Sequence, residues 1–334
     1  MVGKRLVDIK RESAKTLTLN FEDDGTPIKE IFTLDHTLVL ITHKGVYEAR
    51  LTDHIDPKRG NSHLPFMVQQ RVLEIGIDSE LIGRILLTAK NLFREGEGFF
   101  PSSIDLKRAM SLAYEILKEM YVMDAVTKQY KRDEERAIEI AKNSKGSFAI
   151  PSIGDVKSRC KTFFQKGDHA CQALWDIARL FYPELKEKGH LKTLHNFITG
   201  KYGDDDDFAK FLERALPFLK MVRNGRDCLD HRQKGVIVTD FALHSNGKIT
   251  SPAIEIKFRG TSQPPIPVAD CMSLTVQSML NVVEDFMAFL CSKHAQPLGG
   301  FSIQVGIIPE DRRRSKFIRY GYWTNLGGNF APIV

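Results

Sequence analysis

Cysteine is scarce in this chain and poorly spaced for chemistry. The 334 residues include five, Cys160, Cys171, Cys228, Cys271 and Cys291. The number is odd and no two form a C-x-x-C pair, so neither a disulfide framework nor a cysteine zinc site is expected. Long apolar runs are missing too: none approaches the ~20 residues of a membrane span. The opening MVGKRLVDIKRES is too polar for a secretory leader. Together these set the expectation of a soluble cytoplasmic protein with no membrane association. There is no G-x-x-x-x-G-K-[ST] and no G-x-G-x-x-G, which disfavours a nucleoside triphosphatase or a dinucleotide enzyme. Lys58-Arg59-Gly60 resembles a phosphate loop only superficially. No G-x-S-x-G elbow is present, and no internal repeat or low-complexity tract interrupts the sequence.

What is present is ordinary for a globular protein: 42% apolar residues, 27% charged residues and a formal charge of +6. That charge permits an anionic partner without requiring one. The length suggests two domains. Residues 16–51 read as an antiparallel meander, with strands TLTLNF, IKEIFT, LVLIT and VYEARL and turns at Asp23–Gly25 and His43–Gly45. A polar loop follows, and then a helix from Ser79. A long amphipathic helix is expected from Ile104 to about residue 142, after the start signal Pro101-Ser102-Ser103. Its last turns, KRDEERAIEIAK, should face solvent.

Gly, Ser and Pro break the pattern at 143–155, where a domain boundary is placed. Helices are expected at 164–182, 187–200 and 205–232, the last opened by the acidic run Asp204–Asp207. Two strands about Asn246-Gly247 read as a hairpin. Pro267 opens a final helix to about residue 293. FSIQVGII and KFIRYGYW read as tail strands. The fold class is therefore α+β: residues 1–150 an α+β module with antiparallel β-structure, 155–295 a helical bundle with an inserted hairpin, and 296–334 a β-rich basic and aromatic extension.

The stretch MVRNGRDCLDHR, residues 221–232, concentrates the candidate chemistry. On a helical wheel Phe208, Phe211, Ala215, Phe218, Val222 and Leu229 share a core-facing stripe, and Gly225 leaves room for a close helix neighbour. Pro217 predicts a kink or a fresh start. Arg223, Arg226, Asp227, Asp230 and His231 spread over roughly 140° of the opposite side. A guanidinium offers forked donors to phosphate oxygens. Imidazole exchanges protons near neutral pH, and Asp227 could orient either group. Asn224 adds a donor for phosphate or ribose. A solvated helix end, with arginine and histidine complementing the dipole, explains the same residues.

Arg226-Asp227-Cys228-Leu229-Asp230-His231 resembles the Arg-x4–6-His motif of HEPN (higher eukaryotes and prokaryotes nucleotide-binding) domains, and Arg223-Asn224 adds to the likeness. It covers about residues 155–295. The resemblance implies a helical bundle acting as a homodimer, with a composite site for cofactor-free, metal-independent RNA cleavage, as in toxin–antitoxin or antiphage defence proteins. Arg226 would hold the scissile phosphate and His231 would act as general acid or base. Arg223 and Asn224 would orient the phosphate, and Asp227 the arginine or histidine. Counted from Arg223, seven residues precede His231. Either Arg226 therefore carries the motif, or the site is degenerate and the bundle serves nucleotide binding, dimerisation or protein interaction. The N-terminal module has no recognised family and suggests a protein partner.

Other candidates are weaker. In the tail, Arg312, Arg313, Arg314, Lys316 and Arg319 alternate with Tyr320 and other aromatics, a pattern suited to nucleic acid or to a charged edge strand. Asp53, His54, Asp56 and His63 are metal-capable types without ligand spacing, and read as a solvated turn. His169, His190 and His195 are scattered.

Overall fold

The computed structural model describes residues 5–12, 25–143, 149–231, 235–326 and 329–333. The expected first strand at 16–21 lies outside them, as does most of the turn that follows. A short helix α1 (Leu6–Glu12) precedes a four-stranded antiparallel sheet, β1 (Glu30–Leu34), β2 (Thr37–Ile41), β3 (Val46–Leu51) and β4 (Met67–Leu73), in sequential order. Alternation directs Phe32, Leu34, Val39, Ile41 and Val46 into the main core, while Leu40, Tyr47 and Ala49 form a small cluster on the other face. The β4 strand was not anticipated, because Gln69-Gln70-Arg71 interrupts its apolar run. The helix expected from Ser79 begins as a π-helical segment, Ile82–Leu87, and ends in α2 (Thr88–Leu92).

The loop between β3 and β4 is tied down by ion pairs. The Arg11 guanidinium, 1% exposed, meets Asp53 at 2.8 Å and Asp56 at 3.0 Å. Arg59 also reaches Asp53, at 2.7 Å. The carboxylates read in sequence as solvated turn residues thus bind α1 to the sheet's loop.

The long helix α3 (Leu106–Asn143) is buried along one side as far as Tyr130 and exposed in its charged final turns. It packs lengthwise on α4 (Val156–Phe181), and both belong to one apolar cluster that extends from the sheet to the C-terminal helices. The break at 143–155 is therefore the connection between two helices of a shared core. Asp240 fixes its end by accepting from Ser152 Oγ at 2.7 Å and Gly154 N at 3.0 Å.

Next come α5 (Leu191–Tyr202) and α6 (Asp207–Asp230). The acidic run acts as a helix start: the Asp206 side chain accepts from Phe208 N at 3.0 Å and Ala209 N at 3.3 Å. Pro217 sits inside α6 without ending it. Gly225 faces Phe164 of α4 so closely that a Cβ there would stand 2.8 Å from the ring.

The expected hairpin forms as β5 (Val236–Thr239) paired with β8 (Ala253–Phe258), with β6 (Ala242–Leu243) and β7 (Ile249–Thr250) as a small ladder towards its tip. A third strand, β9 (Thr261–Pro267), pairs with β8. Its Pro264 and Pro265 hid it in the sequence, yet it lies at a sheet edge, where proline is tolerated.

Helix α7 (Val268–His294) has 27 residues, with a mean hydropathy of 1.2 over its most apolar 18-residue window. It is long and apolar enough to cross a membrane, and 61% of that window is buried inside the protein. The two expected tail strands form as β10 (Ile303–Ile307) and β11 (Tyr320–Leu326), which pair with each other, and β12 (Asn329–Ile333) is added. The whole is a mixed α+β protein with an N-terminal antiparallel sheet and a helical C-terminal half.

Candidate functional site

Helix α6 lies between α4 and the β8–β9 sheet, and this position assigns a direction to each polar residue of the motif. Arg226 points to α4. Its Nη2 meets Asp168 at 3.0 Å and its Nη1 meets Asp227 at 2.9 Å, while Nε, with no hydrogen bond among the described residues, faces Asp230 at 3.7 Å. Asp168 is 8% exposed and is held from its own helix by Gln172, whose Nε2 donates at 2.7 Å. The guanidinium itself is 26% exposed. It is thus fixed in one orientation by carboxylates from two helices.

Each of the other two carboxylates has a second cation. Asp227 also receives Arg259 at 3.2 Å, and Asp230 receives Lys161 at 3.3 Å. Three acids and three bases, Arg226 among them, therefore balance here. Arg223 is different. It is exposed, and among the described residues it has no ion pair or hydrogen-bond partner. Its charge reaches His190, whose pKa is lowered first by burial and then by this arginine. Burial likewise raises the Cys171 thiol well above its usual range, so that cysteine is a small apolar packing group.

Asn224 does not face solvent. It is 4% exposed, and its amide donates to Phe258 O at 2.9 Å and Thr261 Oγ1 at 2.7 Å. The sequence suggested a phosphate or ribose contact; the structure places this group inside the joint between α6 and the β8–β9 turn. His231 is exposed at the C-cap of α6, where its N–H bonds Asp227 O at 3.1 Å.

The tail candidates divide in the same way. Arg312, Arg314 and Lys316 are exposed. Arg313 donates from Nε to Ile308 O at 2.9 Å. Arg319 pairs with the buried Glu284, and the Tyr320 hydroxyl donates to Asp285 at 2.7 Å. Arg319 and Tyr320 hold the tail against α7, while Arg313 braces the tail internally. Asp168, Gln172 and Arg259 join the site without having been anticipated. An aspartate on the buried side of α4 signals that a partner exists, but the partner is 58 positions away and no local spacing reveals it.

No protein-family model, curated protein or solved structure matches the chain.

Proposed function

We propose that the chain is a metal-independent endoribonuclease of the HEPN type, acting as a pair of copies, in the manner of a toxin or defence effector. One observation carries this reading: the Arg226 guanidinium is held partly exposed in a fixed orientation by Asp168 and Asp227, and an exposed histidine, His231, ends the same helix. Catalysis of phosphoryl transfer rests on such positioned charge and on proton transfer. In this reaction a ribose 2′-oxygen attacks the adjacent phosphorus and its proton passes to a base. The bond to the 5′-oxygen breaks, and that oxygen takes a proton from an acid. A 2′,3′-cyclic phosphate and a 5′-hydroxyl remain. His231 exchanges the protons, with one copy supplying the base and the other the acid. Arg226 neutralises the phosphorane oxygens.

The test is incubation of wild type, Arg226→Ala and His231→Ala with total RNA and a defined transfer RNA in EDTA, after checks of folding and dimerisation. Cleavage by wild type alone, with cyclic phosphate ends, is the expected result. Unchanged cleavage by His231→Ala rejects the site.

A second reading has its own support. The balanced ring of acids around Arg226 leaves little net attraction for an anion, which favours a non-catalytic bundle used for nucleotide binding, dimerisation or protein interaction. It expects intact RNA in every lane and a lower melting temperature for Arg226→Ala.

A further inference from the structure

We infer that Lys220, Arg223 and Arg259 form a phosphate-binding track for single-stranded RNA, laid along α6 and the β8–β9 turn and leading to His231. The inference deepens the ribonuclease reading and rests on it for the identity of the nucleic acid.

The turn is rigidly placed. The buried Asn224 amide bonds both of its ends, at Phe258 O and Thr261 Oγ1. Between them Arg259 adopts a left-handed conformation, φ 46°, which is unfavourable for a residue with a side chain. The turn thereby presents a guanidinium outward, 59% exposed, stacked 4.7 Å over the Phe258 ring. Gly260 makes room for the second cation: a Cβ there would stand 3.1 Å from Lys220 Nζ. Lys220 and Arg223 are three residues apart, so they are neighbours on the helix surface.

The charge on this strip is only partly cancelled. Among the described residues neither Lys220 nor Arg223 has an ion-pair partner, and Arg259 shares Asp227 with Arg226. Three outward cations therefore face one carboxylate that is already engaged. Positive groups spaced along a helix and a turn follow a flexible phosphodiester backbone. A guanidinium stacked on an aromatic ring also offers a plane to an unpaired base. His231 lies four residues beyond Asp227, at the end of the same side of α6.

The test measures binding of a labelled single-stranded RNA oligonucleotide by fluorescence anisotropy over a range of salt concentrations, with the full chain. Lys220→Ala and Arg223→Ala place the best helix former at exposed helix positions, so folding should survive. Each should lower the slope of log affinity against log salt by about 0.7, and the triple variant with Arg259→Ala by about 2. Arg259→Lys, which keeps the charge, should retain most of the binding. A triple variant with wild-type affinity and slope overturns the proposal. An equal loss in Arg312→Ala/Arg314→Ala/Lys316→Ala also overturns it, because net charge alone would then be responsible. RNA bound along this track but left uncleaved would reject the nuclease reading while leaving the track standing.

Discussion

Arg84 and Glu284, two hundred positions apart in sequence, form an ion pair of 2.7 Å in the interior, with Glu284 completely buried. Arg319 of the tail pairs with the same carboxylate, and Arg84 also reaches Asn281 at 2.6 Å. One glutamate on α7 thus joins the π-helical segment of the N-terminal half to the C-terminal sheet. Glu284→Ala would leave Arg319 without its counter-charge in this ion pair and Arg84 with Glu80 alone, at 3.0 Å. A stability loss of about 3–5 kcal/mol is expected in denaturant unfolding. A loss below about 1 kcal/mol would mean that this node does not hold the tail in place.

The Arg226 clasp makes a separate prediction about coupling. In a double-mutant cycle of Asp168→Ala and Arg226→Ala, the two losses should fall short of additivity by about 1–3 kcal/mol, because Arg226→Ala leaves the buried Asp168 without its cation and Asp168→Ala removes one of the carboxylates that hold Arg226. Additive losses would show that the 3.0 Å contact contributes nothing.

Gly225→Ala tests the close approach of α6 to α4. The new methyl would meet the Phe164 ring at 2.8 Å, inside van der Waals contact. Overpacking of about 1–3 kcal/mol is expected, despite alanine's better helix propensity. A variant as stable as wild type, measured by thermal melting, would show that the ring swings aside freely.

His294 links stability to acid. Its ring packs edge-on against Phe181 and Tyr182, and its Nε2 is buried with no hydrogen-bond partner among the described residues. Burial, with Lys201 adding to it and Glu184 opposing, lowers its pKa to about 4. An unfolded histidine titrates near ~6.5. Between these values the unfolded chain binds the extra proton, so stability falls as pH drops from about 6.5 towards 4. His294→Gln should flatten this part of the curve of unfolding midpoint against pH. Equal slopes in wild type and variant would assign the effect elsewhere.

Long-period features were readable from the sequence, and short or distant ones were not. The apolar spacing of α3, the Asp206 cap, the Asn246-Gly247 turn and the packing role of Gly225 all follow from chemistry within one or two turns of chain. β4 and β9 escaped because tertiary pairing overrides their polar or proline-rich composition. At the site, the wheel placed Arg223, Arg226, Asp227, Asp230 and His231 on one broad side of α6. It could not show that Asn224 turns to Phe258 and Thr261, nor that Asp168 comes from α4. Those facts depend on which elements flank the helix.

The shared face of α3 and α4 bears on how this protein can change over evolutionary time. An α3 cut away from α4 would expose Met123, which packs at Gly167 of α4, to water. A cut between the two helices would therefore divide one apolar core. Helix α6 and the sheet that precedes it share one apolar core, and heat should melt them in one step.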